Sequence, residues 1–267
     1  MAMTINTNVS SLNAQRNLTA SKDSLATSLE RLSSGLRVNS SKDDAAGLAI
    51  ADRMNAQIRG INVAIRNAND GISLAQTAEG ALSTVSDVFQ RMRELAVQAQ
   101  NGSNGTTDRA NLNTEYQQLS AEVTRIAAQT KFNGTAIIGA GSGAQVFQVG
   151  PNNGDTLTVT TTAVTTVSGG LTTAAAASTA VDALDTAMSA ITTSRATYGA
   201  AMSRMSFAIS NLQITGENQA AARGRIMDAD FAAETASLSR AQILQQAGSA
   251  MVAQANQLPN QVLALLR

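Results

Sequence analysis

The 267 residues include no Cys, no His and no Trp, and the aromatics amount to five Phe and two Tyr. Each absence closes a class of chemistry. Without thiolate or imidazole there is no zinc or thiolate metal site, no Ser-His or Cys-His nucleophile pair and no disulfide framework. Few aromatics argue against a compact globular core, because those side chains supply the largest burial per residue. Excess charge of one sign is missing too, since 19 Lys+Arg balance 19 Asp+Glu. A polyanionic partner needs clustered excess cations, so nucleic acid is not expected. No apolar run approaches the roughly 20 residues that span a bilayer, and Met1 to Thr7 lacks the basic stretch that opens a secretory signal. The expectation is a chain with no membrane partner, no metal, no cofactor and no enzyme activity.

What is present is helical periodicity, with apolar residues recurring at alternating steps of three and four. Leu18, Leu25, Leu29, Leu32 and Leu36 form such a seam near the N-terminus. From Asp44 to Gln100 there is no Pro, and two seams run through the segment. The first passes Ile61, Ile65, Ala68, Ile72, Ala75, Glu79, Leu82, Ser86 and Phe89; the second passes Ala78, Ala81, Val85, Val88, Met92, Leu95 and Ala99. Leu112, Tyr116, Leu119, Val123 and Ile126 mark a shorter helix over 108–129. Val181, Leu184, Met188, Ile191, Arg195, Tyr198, Met202, Met205, Ile209 and Leu212 mark a return helix over 178–215, apolar at all of these positions except Arg195. A last seam, Ala241, Leu244, Gly248, Met251, Ala255, Leu258, Val262 and Leu265, contains Pro259, which is expected to kink or end it.

Ser41 with Asp44 reads as a capping box opening the long helix, and Asn101-Gly102-Ser103-Asn104-Gly105 as the turn that closes it. Between about 131 and 166 the period changes to two. Val146 and Gln148 alternate with Phe147 and Val149, the 151–155 segment turns, and Leu157 to Thr160 return, which is a hairpin signal. Residues 161–180 are Thr, Ala, Ser and Gly and read as an exposed connection. A helix over 44–99 is about 84 Å long, more than the diameter of a compact globule of this chain length. The expected fold is mainly α: an elongated antiparallel helical bundle or coiled-coil rod, with a small β-hairpin region and a terminal two-helix coiled coil in which helices over 5–34 and 231–265 pair.

Residues 241–266 contain no charged side chain, and their polar face is Gln and Asn. Soluble amphipathic helices place Lys and Glu on the exposed face, and eight amides are too costly for lipid. Packing against protein on several sides remains, and a two-helix unit cannot supply it within one molecule. Other copies must. The termini are expected to order when copies stack, because an isolated helix pair buries little against about 1–2 kcal/mol of backbone entropy per residue.

The opening MAMTINTNVSSLNAQRNL, the stretch SLERLSSGLRVNSSKDDAAGLAIADRM from Ser28 to Met54, FNG at Phe132 to Gly134, FQVGPNNGDTLTV from Phe147 to Val159 and SRAQILQQAGSAMVAQANQLPNQVLALLR from Ser239 to Arg267 together resemble bacterial flagellin. The likeness covers nearly the whole chain; a short Thr/Ala-rich stretch stands where typical members carry a variable outer region. The resemblance implies a homopolymer, the flagellar filament, lying outside the cell and serving swimming motility. It implies partners as well: the flagellar cap and hook-associated proteins, an export chaperone and the type III export apparatus. It implies an organisation of N-terminal inner-core helix (1–34), linker (35–43), outer-core rod (44–177), return helix (178–226) and C-terminal inner-core helix (227–267), with the hairpin near 133–160 in subunit contacts that set supercoiling. Inter-subunit packing of the termini falls to Leu25, Leu29, Leu32, Leu244, Met251, Leu258, Val262 and Leu265. A patch of Gln90, Arg91 and Leu95 with Glu115, flanked by Ile209 and Leu212, is similar to the flagellin segment that a vertebrate innate-immune receptor recognises on the monomer.

The alternative is a hook-filament junction protein, which resembles flagellin at both ends. A chemoreceptor-like signalling rod would carry a membrane span. Asp43, Asp44, Asp228 and Asp230 read as helix caps responding to the dipole, not as a cation site. Arg223-Gly224-Arg225 reads as a charged joint, and the Asn-x-Ser/Thr sequons as chance in so Asn-rich a chain.

Overall fold

The computed structural model describes residues 7–265, with side chains as far as Gln257. Nine elements follow in order: α1 (Val9–Ser34), α2 (Ala45–Gln100), α3 (Thr106–Gln129), β1 (Lys131–Phe132), β2 (Thr135–Ala136), β3 (Ala144–Gln148), β4 (Thr156–Thr160), α4 (Ala174–Met227) and α5 (Phe231–Leu265). They pack as two units, one made of the segments up to Ala56 and from Asn218 onward, the other of Gln57–Glu217.

In the Gln57–Glu217 unit, α2 buries one unbroken row: Ile61, Ala64, Ala68, Gly71, Ala75, Ala78, Leu82, Val85, Phe89, Met92, Ala96 and Ala99. Its steps alternate strictly between three and four, the 3.5-residue period of a coiled-coil seam. The two seams expected from sequence merge into it. Ile65, Ile72, Glu79, Ser86, Ala81 and Val88 are its half-buried flanks. α4 answers with Ala177, Ala180, Leu184, Ala187, Ile191, Ser194, Tyr198, Ala201 and Met205, large residues at every seventh position and Ala or Ser between them. It runs antiparallel to α2, since Arg93 meets Asp185, Arg195 meets Glu79 and Leu212 meets Ile61 along the pair.

α3 folds back on α2 through a turn. The Arg109 guanidinium donates to the carbonyls of Ala99 (2.9 Å) and Asn101 (3.2 Å), placing a cation at a helix C-terminus where the dipole favours it. β1 and β2 flank Asn133 (φ 48°) and Gly134 (φ 82°), the two positive φ values of a type I′ turn. β3 and β4 pair Phe147 with Leu157 and Val146 with Thr158. Leu157 and Val159 are buried, whereas Val146 faces solvent. Val149 lies beyond β3, its N–H bonded to the Asp155 carbonyl at 2.8 Å. This hairpin sits on α2: Asn67 Nδ2 donates to the Gln148 carbonyl at 3.0 Å, and a Cβ on Gly60 would come within 2.9 Å of Pro151.

The 161–180 segment departs from the exposed connection expected of it. Val167 and Leu171 are buried in the core, α3 pins the strap through Ser120 to the Val167 carbonyl (3.1 Å) and Asn113 to the Leu171 N–H (2.8 Å), and helix begins at Ala174. Low complexity concealed two apolar anchors seated among Thr and Gly.

Two tyrosines in this core differ in a way that can be measured. Tyr198 donates to the Ile137 carbonyl at 3.2 Å, whereas the equally buried Tyr116 hydroxyl has no protein partner among the described residues. Burial raises both phenol pKa values, so neither ionises near neutrality. Tyr198→Phe is expected to cost about 1 kcal/mol and Tyr116→Phe close to nothing, read as urea midpoints.

In the other unit α1 and α5 lie antiparallel. Asn8 Nδ2 bonds the Ala255 carbonyl and Ser11 Oγ the Asn256 Oδ1, both at 2.8 Å. At the opposite end Arg31 and Glu234 stand 3.9 Å apart. Gly35 (φ 72°) terminates α1 with its N–H on the Arg31 carbonyl, the left-handed position where glycine is favoured. A short clasp follows: Leu36 bridges Asp228, and the Arg37 guanidinium bonds the Ile226 carbonyl at 2.7 Å, capping α4.

Three expectations are corrected here. Asp44 caps α2 alone, through Gly47 N–H at 2.8 Å, and Ser41 takes no part; Asp43 instead closes the preceding turn by accepting from the Asn39 and Ser40 amides, which lowers its pKa. Arg223-Gly224-Arg225 is helical, because the return helix continues to Met227. The joint lies at 228–230, where Asp230 caps α5 by accepting from Ala232 N–H at 2.9 Å. α5 also runs through Pro259 to Leu265, so the proline does not end it.

Candidate assembly surface

The α1–α5 contact is built from small and polar residues. The row on α1 facing α5 is Ser11, Ala14, Leu18, Ser21, Leu25, Ser28 and Leu32. The facing row on α5 is Glu234, Leu238, Ala241, Gln245, Gly248, Val252 and Ala255. Gly248 is where the helices come close, since a Cβ there would lie 3.1 Å from Leu18 Cδ1. Heptad spacing puts Ser, Ala and Gly at alternate contact positions, which lets the helices approach but buries little apolar surface.

Other large apolar side chains point the other way. Val9 (65% exposed), Leu12 (53%) and Leu29 (50%) stand out from α1; Phe231 (56%), Ile243 (66%), Leu244 (50%) and Met251 (62%) stand out from α5. Leu29, Leu244 and Met251 thus occupy the outward face expected of packing residues. Leu25 and Leu32 are half-buried against α5 in the same molecule. The side chains of Leu258, Val262 and Leu265 lie outside the described residues. Val9, Leu12, Phe231 and Ile243 were not anticipated, because they fall off the three-four template; the adjacent Ile243-Leu244 pair was the available signal, since one helix face cannot bury both.

The second patch divides. Arg91 is an exposed node, with Nη2 to Glu115 at 2.8 Å and Nη1 to Glu94 at 3.0 Å, and these partners raise its pKa. Gln90 is exposed beside it, and Leu95 is buried in the core. Arg93 bonds Asp185 across to α4 at 2.6 Å and lowers that carboxyl. Ile209 and Leu212 are elsewhere, which corrects the expectation that they flank the patch. Leu212 packs on Ile61 and Ala64, 34 residues along α2 from Leu95 and so about 51 Å away. Antiparallel pairing of α4 on α2 forces that separation.

Among the described residues no group of acidic side chains is arranged to hold a metal ion, and no helix is long and apolar enough to cross a membrane. The chemistry on offer is contact: exposed apolar rows on α1 and on the charge-poor α5.

A family model for the bacterial flagellin N-terminal helical region matches residues 5–141, and one for the C-terminal helical region matches residues 181–266. Flagellin of Halalkalibacterium halodurans is 44% identical, over 99% of this chain and 100% of its own. Flagellin of Xenorhabdus nematophila is 41% identical over the full length of both. Among solved structures, Bacillus cereus flagellin superposes with a TM-score of 0.51 at 34% identity, covering 55% of this chain and 88% of its own.

Proposed function

This chain belongs to the bacterial flagellin family, and from that premise we propose how it is built into a filament. It is a structural, extracellular subunit of the bacterial flagellar filament that polymerises with itself; full-length likeness to flagellins disfavours the hook-filament junction alternative. In our reading the outward rows of α1 and α5 are the inter-subunit surface, with Leu29, Leu244 and Met251 packing on neighbouring copies, joined by Leu258, Val262 and Leu265 further along α5. The observation that carries this is the inversion of the terminal helix pair: its fully buried described residues are Ser11, Ser28, Ala241 and Ala255, whereas Leu12, Leu29, Ile243, Leu244 and Met251 are exposed. Such a pair is weakly held alone and completed by neighbours. Amide hydrogen exchange tests it: protection over α1 and α5 should rise sharply between dilute monomer and polymer, while α2 and α4 stay protected in both. Strong protection of both terminal helices in dilute monomer would sink the reading.

The chain performs no catalysis in this role. It leaves the cell through the flagellar type III export apparatus, escorted by an export chaperone, and is added at the tip under the cap, beyond the hook-associated proteins. As a monomer it meets the innate-immune receptor through Gln90, Arg91 and Glu115, and the buried Leu95 supports that surface from the core. Ile209 and Leu212, being remote from those residues, are left out of that surface. A cell reporter exposed to pure monomer should respond, and Arg91→Ala should weaken the response; silence toward the parent protein refutes this part.

A further inference from the structure

Four Asn-Gly pairs occur in the chain, at Asn101, Asn104, Asn133 and Asn153. Asn-Gly is the dipeptide most prone to spontaneous deamidation, because glycine leaves its own backbone nitrogen unshielded. The four are held differently. The Asn101 side chain accepts from the Ser103 N–H at 3.2 Å, and its carbonyl accepts from Asn104 N–H and from Arg109. Asn104 donates its side-chain amide to the Gln98 carbonyl at 2.7 Å, and the Gly105 N–H that would attack is bonded to Asp108 at 2.9 Å. Asn133 is fixed at φ 48° in the type I′ turn. Reorienting its peptide would demand the type II′ geometry, which needs glycine at that first position.

Asn153 has none of these restraints. It is exposed at the second position of the Asn152–Asp155 turn, closed by Asp155 N–H to the Asn152 carbonyl at 3.2 Å. Gly154 has φ 92° while Asn153 has ordinary negative φ, the pattern of a type II turn. Among the described residues, neither the Asn153 carbonyl, nor its side chain, nor the Gly154 N–H has a hydrogen-bond partner. The 153–154 peptide can flip between type II and type I turns without breaking a bond or entering a forbidden region.

We infer that Asn153 is the deamidation site of this protein. The Gly154 nitrogen, losing its proton to base, attacks Asn153 Cγ. The new C–N bond closes a succinimide as the side-chain nitrogen leaves, protonated, as ammonia. Water then opens either imide carbonyl, giving aspartate or isoaspartate at position 153, with no change of oxidation state. Isoaspartate inserts a main-chain methylene between the two ends of the 152–155 bond, beside the Pro151 contact with Gly60.

The test is peptide mapping by mass spectrometry of full-length protein held at mildly alkaline pH, with isoaspartyl methyltransferase labelling. The Asn153 peptide should convert about tenfold faster than any of the other three, the penalty of breaking a hydrogen bond at Asn101 or Asn104 and of backbone strain at Asn133, and Asn153→Gln should remove the fastest phase of isoaspartate formation. Conversion of another Asn-Gly pair first or at an equal rate, or a fastest phase that persists in Asn153→Gln, overturns the assignment.

Discussion

Replacing both Leu244 and Met251 with Glu is expected to abolish growth from filament seeds while leaving the folded monomer intact. The two residues lie seven apart on α5, on one face, 50% and 62% exposed. Covering the free part of each by a neighbouring copy contributes about 1 kcal/mol. A charge placed in the same contact loses its hydration, and at 251 no cation lies within a turn on α5 to offset that loss, whereas at 244 Arg240 is one turn away. That costs several kcal/mol where the charge is left without a partner. At 1.4 kcal/mol per factor of ten, the two substitutions together raise the critical concentration by about a thousandfold or more. The monomer should lose no more than about 0.5 kcal/mol at each substituted position, as surface substitutions do. Seeded growth followed by sedimentation and electron microscopy reads the first effect, and thermal unfolding the second. Filaments forming at the parent concentration would place the assembly surface elsewhere.

Phe89→Ala should produce the largest loss of monomer stability, about 3–5 kcal/mol, out of the 5–15 kcal/mol that holds a typical domain. Phe89 is fully buried in the row on α2, in the same core cluster as Val85, Met92, Tyr116 and Ile137. The ring sits in the middle of a long seam whose neighbours are held by α3, α4 and the β1–β2 region, so the site cannot collapse by moving one side chain. Chemical denaturation is the measurement. A loss below about 1 kcal/mol would mean that the seam repacks freely around the gap. Leu29→Ala provides the contrast, because Leu29 is half-exposed and contributes little to the isolated chain.

The contrast between these two sites also explains what the sequence could and could not tell. Helix identities and most boundaries were legible because large apolar residues recur at three-four spacing without proline. Which positions are innermost was not. Counting hydrophobes favoured Ile65, Ile72 and Val88, whereas Ala64, Gly71 and Ala96 lie inside, because close helix approach selects small side chains that carry no hydropathy signal. The same blindness hid Ser11 and Ser28 within the α1–α5 contact and led to Leu29 being read as part of the seam. The strap at 161–173 was misread since its polar anchors reside on α3, at Asn113 and Ser120, far away in the chain. For the Arg91 patch, residues were grouped by likeness to a family. Antiparallel packing then placed Leu212 opposite Ile61 and not Leu95. The charge-free stretch of α5, in contrast, was read from the chain alone and coincides with the exposed apolar row.

The strict three-four row from Ile61 to Ala99 restricts how this chain can change in length. Deleting one residue inside α2 turns everything beyond it by about 100°, swinging Phe89 and Met92 out of the core together. Losses or gains of seven keep the phase, and units of three or four are absorbed by local over- or underwinding. Length in the paired helices α2 and α4 is therefore quantised. Insertions of arbitrary size are left to the turns, where no phase has to be kept.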